Sequence, residues 1–323
     1  MILKIFKTLL IGIAFFIGIF FANLYSKISL EEDFYLLIEP GMSMNDISIV
    51  LKSKDIIYMP FFLNQFSRIS GTSKKIKAGE YKVSSDESVV GLLNKITAGD
   101  TFTREIRLSE GMTFYDVMAK LNNTEGLIND IGNTADQLIL KKLNSSYLTL
   151  EGIFSPDTFY FERGANFTSI LKRAYEQQEK KIQELWESRI KNLPYQNIQE
   201  VLTLASIIEK EGIEKSMIAG VFINRLNKNM KLQSDPTIIY ALGEDFSGDI
   251  KRRDLRFKHP YNTYINKGLP PGPIGLVSLS SFEAALNPDI STNLYFVSKG
   301  DGTHQFSVTL EQHNQAVKDY QLK

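Results

Sequence analysis

Residues 198–211 read IQEVLTLASIIEKE, a stretch whose apolar spacing is that of an α-helix. On a wheel at about 100° per residue, Ile198, Leu202 and Ala205 fall within one narrow arc. Glu209 falls inside the same arc, one turn past Ala205. The pattern therefore predicts an acidic side chain on the apolar face of a helix.

The other acidic residues of this stretch, Glu200 and Glu211, are predicted to point away from the apolar arc, beside Gln199 and Lys210. Because desolvation favours the neutral form of a carboxylic acid, the pKa of Glu209 is expected to be raised. An acid that keeps its proton near neutral pH can act as a general acid. Glu209 is therefore the candidate catalytic residue. A rim position, or pairing with a buried Arg or Lys, stays open as an alternative.

Composition limits the classes of function. The 323 residues suffice for about two domains. The 37 basic and 37 acidic residues cancel, so no general attraction to nucleic acid is expected. Cysteine is absent, and the three histidines are scattered along the chain. No metal, thiol nucleophile or other cofactor is predicted.

The N-terminus predicts a membrane anchor. Residues 8–25 form an uncharged apolar run near the lower length limit for a spanning helix. Lys4 and Lys7 precede the run and residues 31–33 are acidic, so the N-terminus is expected inside and the rest of the chain outside the cytoplasmic membrane. The alternative is a cleaved signal peptide, but residues 21–25 make a poor cleavage site.

Two segments resemble each other, at residues 39–47 and 109–117. Each has Gly-Met, then Ser or Thr, then Asp three residues later, which is a helix-start signature. We predict helices at 44–53 and 114–122, each after a short extended segment. Capping and periodicity predict further helices at 60–69, 88–98, 169–189, 198–211, 214–227, 281–286 and 310–321. Strands are predicted at 78–83, 293–298 and 304–308, the last two as a hairpin.

Polar side chains that suit a sugar follow the Glu209 helix. Amides, hydroxyls and phenols can hydrogen-bond the many hydroxyl groups of a sugar, while aromatic rings can cover its apolar faces. For the tyrosines of this set, ordinary packing is an equal alternative. Asp235 is predicted to be a helix cap, with Pro236 in the first helical position. The candidate sugar-binding residues are Asn224, Gln233, Tyr261, Asn262, Thr263 and Tyr264.

These segments resemble the MltG-type (YceG-like) family of endolytic murein transglycosylases. The resemblance covers the chain well from about residue 105 to the C-terminus, and its segments occur in the family's order and spacing. The matching segments are EGIFSPD (151–157), LASIIEKE (204–211), VFINRL (221–226), LQSDPT (232–237), YNTY (261–264), GLPPGPI (268–274), YFV (295–297), HQFS (304–307) and HN (313–314).

The resemblance implies a fold class and a domain organisation. We expect an α+β protein with a cytoplasmic tip and N-terminal transmembrane helix (1–30), a small LysM-like α/β module (31–99) and a larger mixed α+β catalytic domain (100–323). The likeness of the small module to the family's peptidoglycan-binding LysM-like module is looser. Whether that module binds glycan or only spaces the enzyme from the membrane is left open.

The resemblance also implies a reaction and partners. Peptidoglycan glycan strands are the expected substrate, cut at the MurNAc–GlcNAc β-1,4 bond without water. Glu209 would protonate the bridging oxygen and then accept the proton of the muramic acid C6 hydroxyl, which closes a 1,6-anhydro ring. Cell-wall synthases are the protein partners the family suggests. His304, His313 and Glu151 are left without an assigned role.

Two other functions stay open from the sequence. A hydrolytic muramidase would need a second carboxylate to position water, since ordinary glycosidases use two. A non-catalytic glycan-binding or scaffold protein would gain nothing from a desolvated acid. On the sequence-based assignment, the variant Glu209→Gln is expected to fold and to lose nearly all cleavage.

Overall fold

The computed structural model describes residues 2–132 and 134–322, with side chains from Ile5 onward. Met1, Asn133, Lys323 and the side chain of Lys4, which entered the orientation prediction, lie outside that description. The chain divides into two compact units. The smaller unit takes in the chain up to Arg104 together with Tyr160–Gly164, and the larger takes in Glu105–Phe159 and the chain from Ala165 onward.

Helix α1 (Ile2–Tyr25) opens the smaller unit. Within the described residues it is the one helix long and apolar enough to cross a membrane, over Ile5–Tyr25. The helix starts N-terminal to the predicted apolar run at 8–25, because Lys7 and the residues before it are also helical. Its last turn belongs to the folded unit, since Leu24 is buried in the same core as Leu36.

The rest of the smaller unit is a two-stranded sheet covered by helices. Antiparallel strands pair from Phe34 with Val83 to Ile38 with Gly79. Their alternate residues, such as Leu36 and Tyr81, are buried against the helices. The bounds are β1 (Phe34–Ile38), α2 (Met44–Ser53), α3 (Pro60–Ile69), β2 (Gly79–Val83) and α4 (Val89–Ala98).

The larger unit is mostly helical. Its helices are α5 (Phe114–Asn122), α6 (Asp136–Lys142), α7 (Phe167–Glu187), α8 (Ile198–Glu211), α9 (Lys215–Asn227), α10 (Asp235–Leu242), α11 (Leu279–Leu286) and α12 (Leu310–Tyr320). Antiparallel β5 (Tyr295–Ser298) and β6 (His304–Ser307) form the predicted hairpin. A further two-stranded sheet consists of β3 (Thr103–Arg107) and β4 (Thr158–Glu162).

The two related sequence segments fold alike. Ser43 and Thr113 each form a capping box with the Asp three residues later. Before each cap, the sulfur of Met42 or Met112 accepts a backbone N–H at 3.2 Å from the residue three positions earlier. The prediction of two helix starts with the same local design is confirmed.

Helix α8 lies at the centre of the larger unit. Every residue from Val201 to Ile208 is buried, because α8 packs against α9, α10 and α11. The sequence predicted an amphipathic helix with one apolar face. This helix is instead buried on all sides along its middle, so a wheel cannot separate buried from exposed positions at its C-terminal end.

Candidate active site

Glu209, near the end of α8, lies in a closed polar cluster. Its carboxylate is 9% exposed, and Oε1 accepts a hydrogen bond from Lys215 Nζ at 3.0 Å. Oε2 accepts the backbone N–H of Ser278 at 3.0 Å and also the Ser278 hydroxyl. Lys215 Nζ donates further to the hydroxyls of Ser278 and Ser280, each at 2.9 Å. The cluster therefore joins α8, α9 and the start of α11.

This cluster determines the charge of Glu209. Burial is the largest single effect and raises the pKa, but the hydrogen bonds from Ser278 and Lys215 together hold it below its ordinary value. The predicted raised pKa of Glu209 is therefore wrong. The wheel described only α8, whereas the donors come from α9 and from the N-terminus of α11.

Glu211, at the last position of α8, has the opposite electrostatics. Its carboxylate accepts the hydroxyl of Ser234 and lies near Asp235 and Arg225. Burial raises its pKa to about 7, and the neighbouring Asp235 adds to the rise. The sequence predicted that Glu211 points away from the apolar face. The turn after α9, 20 and more residues downstream, covers it instead.

A groove of about 500 Å³ opens beside Glu211. Its walls come from the end of α8, the turn before α10, the β5–β6 hairpin and α12. We call it the Glu211 groove. Its polar and aromatic lining includes Glu211, Arg225, Gln233, Asp235, Tyr264, Tyr295, Phe296, His304, His313 and Asn314.

Arg225 fixes the turn that carries Gln233. It is buried, and its guanidinium donates to the backbone carbonyls of Leu294 and Leu232, each at 2.6 Å. Gln233 has a left-handed backbone, φ 52°, which costs free energy for a residue other than glycine. The turn holds this conformation, and the exposed side chain of Gln233 lines the groove, as the sugar-binding prediction requires.

Tyr264 and Asp235 meet on the opposite side of that turn. The Tyr264 hydroxyl donates to Asp235 Oδ1 at 2.6 Å, and both residues line the Glu211 groove. The prediction that Asp235 caps α10 is wrong. Ser234 is the cap residue, Asp235 is the first helical residue and Pro236 the second. The carboxylate of Asp235 is consequently available to the groove.

The other predicted sugar-binding residues hold the scaffold. The side-chain amide of Asn224 donates hydrogen bonds to the backbone carbonyls of Ser291 and Asn293, at 2.8 and 3.0 Å. Asn262 and Thr263 are buried, Asn262 bonded to its own loop and Thr263 to the start of α10. None of these three lines the groove as described. Their geometry indicates a positioning role.

Two histidines of the family-like segments reach the groove. The backbone N–H of His304 donates to Glu214 Oε2 at 2.6 Å, and its Nδ1 lies 2.9 Å from the same oxygen. The ring of His313 stacks on Tyr295 with centroids 5.3 Å apart. Burial lowers the pKa of His313, which favours the neutral ring. In the described part of the chain, no hydrogen-bond partner is found for its buried Nδ1.

A second cavity, of about 730 Å³, is lined by Lys210 and Pro236, the sequence neighbours of Glu211 and Asp235. Glu151 at its wall accepts the Phe114 N–H at 3.0 Å and the Tyr240 hydroxyl at 3.2 Å. Burial raises the pKa of Glu151 to about 7. The ring of Tyr261, predicted to bind sugar, contacts the ring of Tyr240 at a tilted angle of 46°, with centroids 4.8 Å apart. We call this the Tyr240 cavity; Ile239 also lines it.

The chemistry of these residues is that of acids and hydrogen-bond donors. Over residues 2–132 and 134–322, no three His, Asp or Glu side chains are grouped so that they could hold a metal ion. The groove presents one carboxyl with a pKa near neutrality, a second carboxylate held by a phenol, an exposed amide and aromatic rings. Such a surface can bind a polyhydroxylated ligand and move a proton.

Several known proteins are similar to this chain. It is 33% identical over 304 residues to the endolytic murein transglycosylase of Bacillus subtilis (strain 168), with 88% of this chain and 83% of that protein covered. It is 26% identical over 320 residues to the endolytic murein transglycosylase of Streptococcus pneumoniae serotype 2 (strain D39). That match covers 88% of this chain but 57% of the streptococcal protein, so the chain spans little more than half of that relative.

Similarity extends to a solved structure. A 2.6 Å crystal structure of a yceG-like protein from Listeria monocytogenes is 29% identical, with a TM-score of 0.56, and the match covers 88% of this chain and 99% of that one. The YceG-like family model matches residues 36–319, a range that includes every residue named above for the two cavities. With nearly the whole chain matched by that model, and a curated relative one-third identical over most of its length, this protein belongs to the YceG-like family.

Proposed function

We propose that this chain is a membrane-anchored lytic transglycosylase that cleaves the β-1,4 bond between MurNAc and GlcNAc inside peptidoglycan glycan strands. The relatives in Bacillus and Streptococcus are named endolytic murein transglycosylases, which supports this reaction class. The observation that carries the proposal is Glu211, a carboxyl with a pKa of about 7 in the wall of an open groove.

Glu211 fits both proton transfers of the reaction. As a neutral acid it gives its proton to the bridging oxygen when the glycosidic bond breaks. The resulting carboxylate takes the proton of the muramic acid C6 hydroxyl, whose oxygen then closes the 1,6-anhydro ring. A pKa near the working pH suits a group that must act first as acid and then as base. The hydroxyl of Ser234 stabilises the ionised form between the two steps.

Glu209 remains the competing candidate for this role. Its assignment from the sequence stays a prediction, but the geometry favours Glu211. The carboxylate of Glu209 is held by Lys215 and Ser278, and its lowered pKa leaves it ionised near neutral pH. An ionised carboxylate with its oxygens occupied is a poor proton donor. We assign Glu209 a structural role: its hydrogen bonds connect α8 with α9 and α11 and so fix the position of the C-terminal end of α8.

The glycan strand has two cavities available to it, the Glu211 groove and the Tyr240 cavity. Gln233, Tyr264 and Asp235 line the Glu211 groove and would hold the sugar at the bond to be cut. The Tyr240 cavity, with Glu151 and an aromatic ring in its wall, would take a neighbouring part of the polymer. Aromatic rings and buried carboxyls are the groups expected around a sugar. Binding on both sides of the cut is what an endolytic enzyme requires.

The remaining organisation follows from the same proposal. Residues 1–30 cross the cytoplasmic membrane with the N-terminus inside, residues 31–99 form a LysM-like module, and residues 100–323 form the catalytic domain outside. Helix α1 has the length and composition for such an anchor. Cell-wall synthases remain the proposed protein partners, because a strand-cutting enzyme acts on the product of those enzymes.

Product analysis tests the reaction class. Purified sacculi are digested with the full chain in detergent, and the fragments are identified by mass spectrometry. Transglycosylation gives 1,6-anhydro-MurNAc ends, 18 Da lighter than reducing ends because no water is added. Reducing ends would instead establish a muramidase, for which Asp235 beside Glu211 would supply the second carboxylate. Binding without any cleavage would favour the non-catalytic alternative.

A further inference from the structure

The smaller unit exposes an apolar edge where α3 begins. Residues 56–63 read IIYMPFFL and contain no charge. Three side chains within four positions of this run are exposed: Tyr58 is 77% exposed, Met59 53% and Phe61 60%. Three exposed apolar side chains within four residues are a candidate interaction surface, and what lies beside them decides the partner.

This edge lies directly beside the membrane-spanning helix. The ring of Phe62 packs edge-to-face against Phe16 and Phe20 of α1, with centroids 5.2 and 5.4 Å apart. One turn later, Phe66 lies 6.5 Å from the rings of both Phe20 and Tyr25. Helix α3 therefore follows the second half of the candidate span.

The contact is rigid because the unit has its core in common with α1. Leu24 at the end of α1 and Ile28 just after it are both buried in the core of the unit. The backbone N–H of Ile28 donates to the carbonyl of Glu87 at 2.8 Å, which ties the chain to the start of α4. The span is thus followed by folded structure without a flexible connection.

These contacts set a depth for α3. The 21 residues Ile5–Tyr25 extend about 31 Å at 1.5 Å per residue, close to the thickness of a bilayer's hydrocarbon core. Phe20 and Phe16 lie five and nine residues before Tyr25, which is about 8 and 13 Å below the outer end of the span. Helices that lie in the membrane interface bury their apolar face roughly 5–10 Å. Phe62 lies within or slightly below this depth.

We propose that the edge formed by Tyr58, Met59 and Phe61 is immersed in the lipid leaflet at the Tyr25 end of α1. The small unit is then held against the membrane by two contacts, the spanning helix and this interfacial edge. We choose lipid as the partner because the edge is continuous with the spanning helix. At that depth the surroundings of Phe61 are acyl chains and not water. The proposal rests on α1 crossing the bilayer and does not depend on the transglycosylase reaction.

Depth-dependent fluorescence quenching tests the proposal on the full chain. Trp186, the one tryptophan of the sequence, is replaced in Trp186→Phe, and a new tryptophan is introduced by Phe61→Trp. The protein is reconstituted in phosphatidylcholine–phosphatidylglycerol vesicles whose acyl chains carry bromine at a shallow or a deep position. We expect at least twofold quenching by the shallow bromines and little quenching by iodide in the buffer.

The matched control is Leu37→Trp in the same background. Leu37 is an exposed apolar residue of β1 in the same unit, and its tryptophan should respond to iodide and not to brominated lipid. Met59→Trp is the second probe if the substitution at position 61 disturbs folding. Flotation first shows that the chain is bound to the vesicles. The proposal is overturned if, in those vesicles, the tryptophans at positions 61 and 59 are quenched by iodide and not by brominated lipid, as the tryptophan at position 37 is. Failure of the chain to float with the vesicles would overturn it as well.

Discussion

At the scale of the residue, two carboxylates separated by one lysine have opposite chemistry. Glu209 is surrounded by donors from Lys215 and Ser278 and stays ionised. Glu211 has one hydroxyl donor and a neighbouring carboxylate, and desolvation of its carboxyl raises the pKa to about 7. The environment, and not the residue type, decides which of the two can be a general acid.

The pH dependence of cleavage follows from the Glu211 pKa. The active form is the protonated acid, and the pKa is raised to about 7, so kcat/KM should fall above that pH, by about tenfold per pH unit once the acid is mostly ionised. Glu151 also has a pKa of about 7 but lies in the other cavity. The measurement is a pH profile of strand cleavage. In the variant Glu151→Gln the alkaline limb of the profile should remain at the same pH. If the limb disappeared in this variant, the group that titrates would be Glu151 and not Glu211.

Ser234 should influence the pH at which cleavage falls, that is, the alkaline limb of the pH profile. Its hydroxyl donates to Glu211 and favours the ionised form, so Ser234→Ala should raise the pKa of Glu211 and move the alkaline limb of the pH profile upward. Ser280→Ala is the matched control, because Ser280 belongs to the Glu209 cluster through Lys215. That variant should leave the limb in place. An unchanged limb in Ser234→Ala, or an equal shift in Ser280→Ala, would contradict the assignment.

Part of the site was predictable at this scale, and part was not. Gln233 and Tyr264 were predicted from residue type and line the groove, and their contact with sugar stays a prediction. The roles of Glu211 and Asp235 depend on a turn that folds back from beyond α9, and no local pattern reveals it. Asn262 and Thr263 have the side chains expected at a sugar site, but their buried hydrogen bonds fix the loop. Residue type alone cannot distinguish a ligand contact from a scaffold contact.

At the scale of the element, the junction between α8 and α9 positions the site. Gly212 ends α8, and a Cβ there would lie 2.6 Å from Cε1 of His304. Only glycine allows β6 to approach the helix end this closely. The junction therefore fixes Glu211 and the histidine side of the groove together.

The substitution Gly212→Ala tests this junction. The added methyl group must displace His304, so we expect a loss of about 1–3 kcal/mol in the free energy of unfolding and reduced cleavage. Gly91→Ala is the control, since its Cβ would make only ordinary contacts in α4 and should be neutral or slightly stabilising. The free energies are measured by denaturant unfolding. Equal stability of the two variants would contradict the close approach.

Element bounds were the most predictable feature of the chain. Helices α2, α3, α5 and α8 have the bounds that the sequence predicts, because capping residues and apolar spacing are local signals. Helix α6 was not predicted. It has no side-chain cap, and its seven residues are too few to show a period. The pairing of β3 with β4 was missed as well, since 50 residues separate the strands.

At the scale of the whole molecule, an apolar helix is joined to a mixed α+β protein of two units. The first 25 residues were enough to predict the apolar helix, and the division of the chain at residues 30 and 99 stays a prediction. The sequence did not indicate that the core of the smaller unit includes the last turn of α1. That packing connects the anchor to the fold without a linker.

Topology can be tested directly because the chain has no cysteine. Single cysteines are introduced at Lys4, which precedes the Ile5–Tyr25 span in the sequence, and at Ser188, an exposed position of the larger unit. With the N-terminus inside, a membrane-impermeant maleimide should label Ser188→Cys on intact spheroplasts and label Lys4→Cys only after lysis. The reverse pattern would contradict the proposed orientation.

In the proposed reaction Glu211 carries the proton to the glycosidic oxygen. The most direct measurement is the yield of 1,6-anhydro-MurNAc ends from sacculi treated with wild type, Glu211→Gln and Glu209→Gln, after circular dichroism shows that each is folded. We predict that Glu211→Gln loses activity by about 10²–10⁴-fold, the range expected for removing a general acid, while Glu209→Gln keeps measurable cleavage. Wild-type yield from Glu211→Gln, together with an inactive Glu209→Gln, would contradict the account.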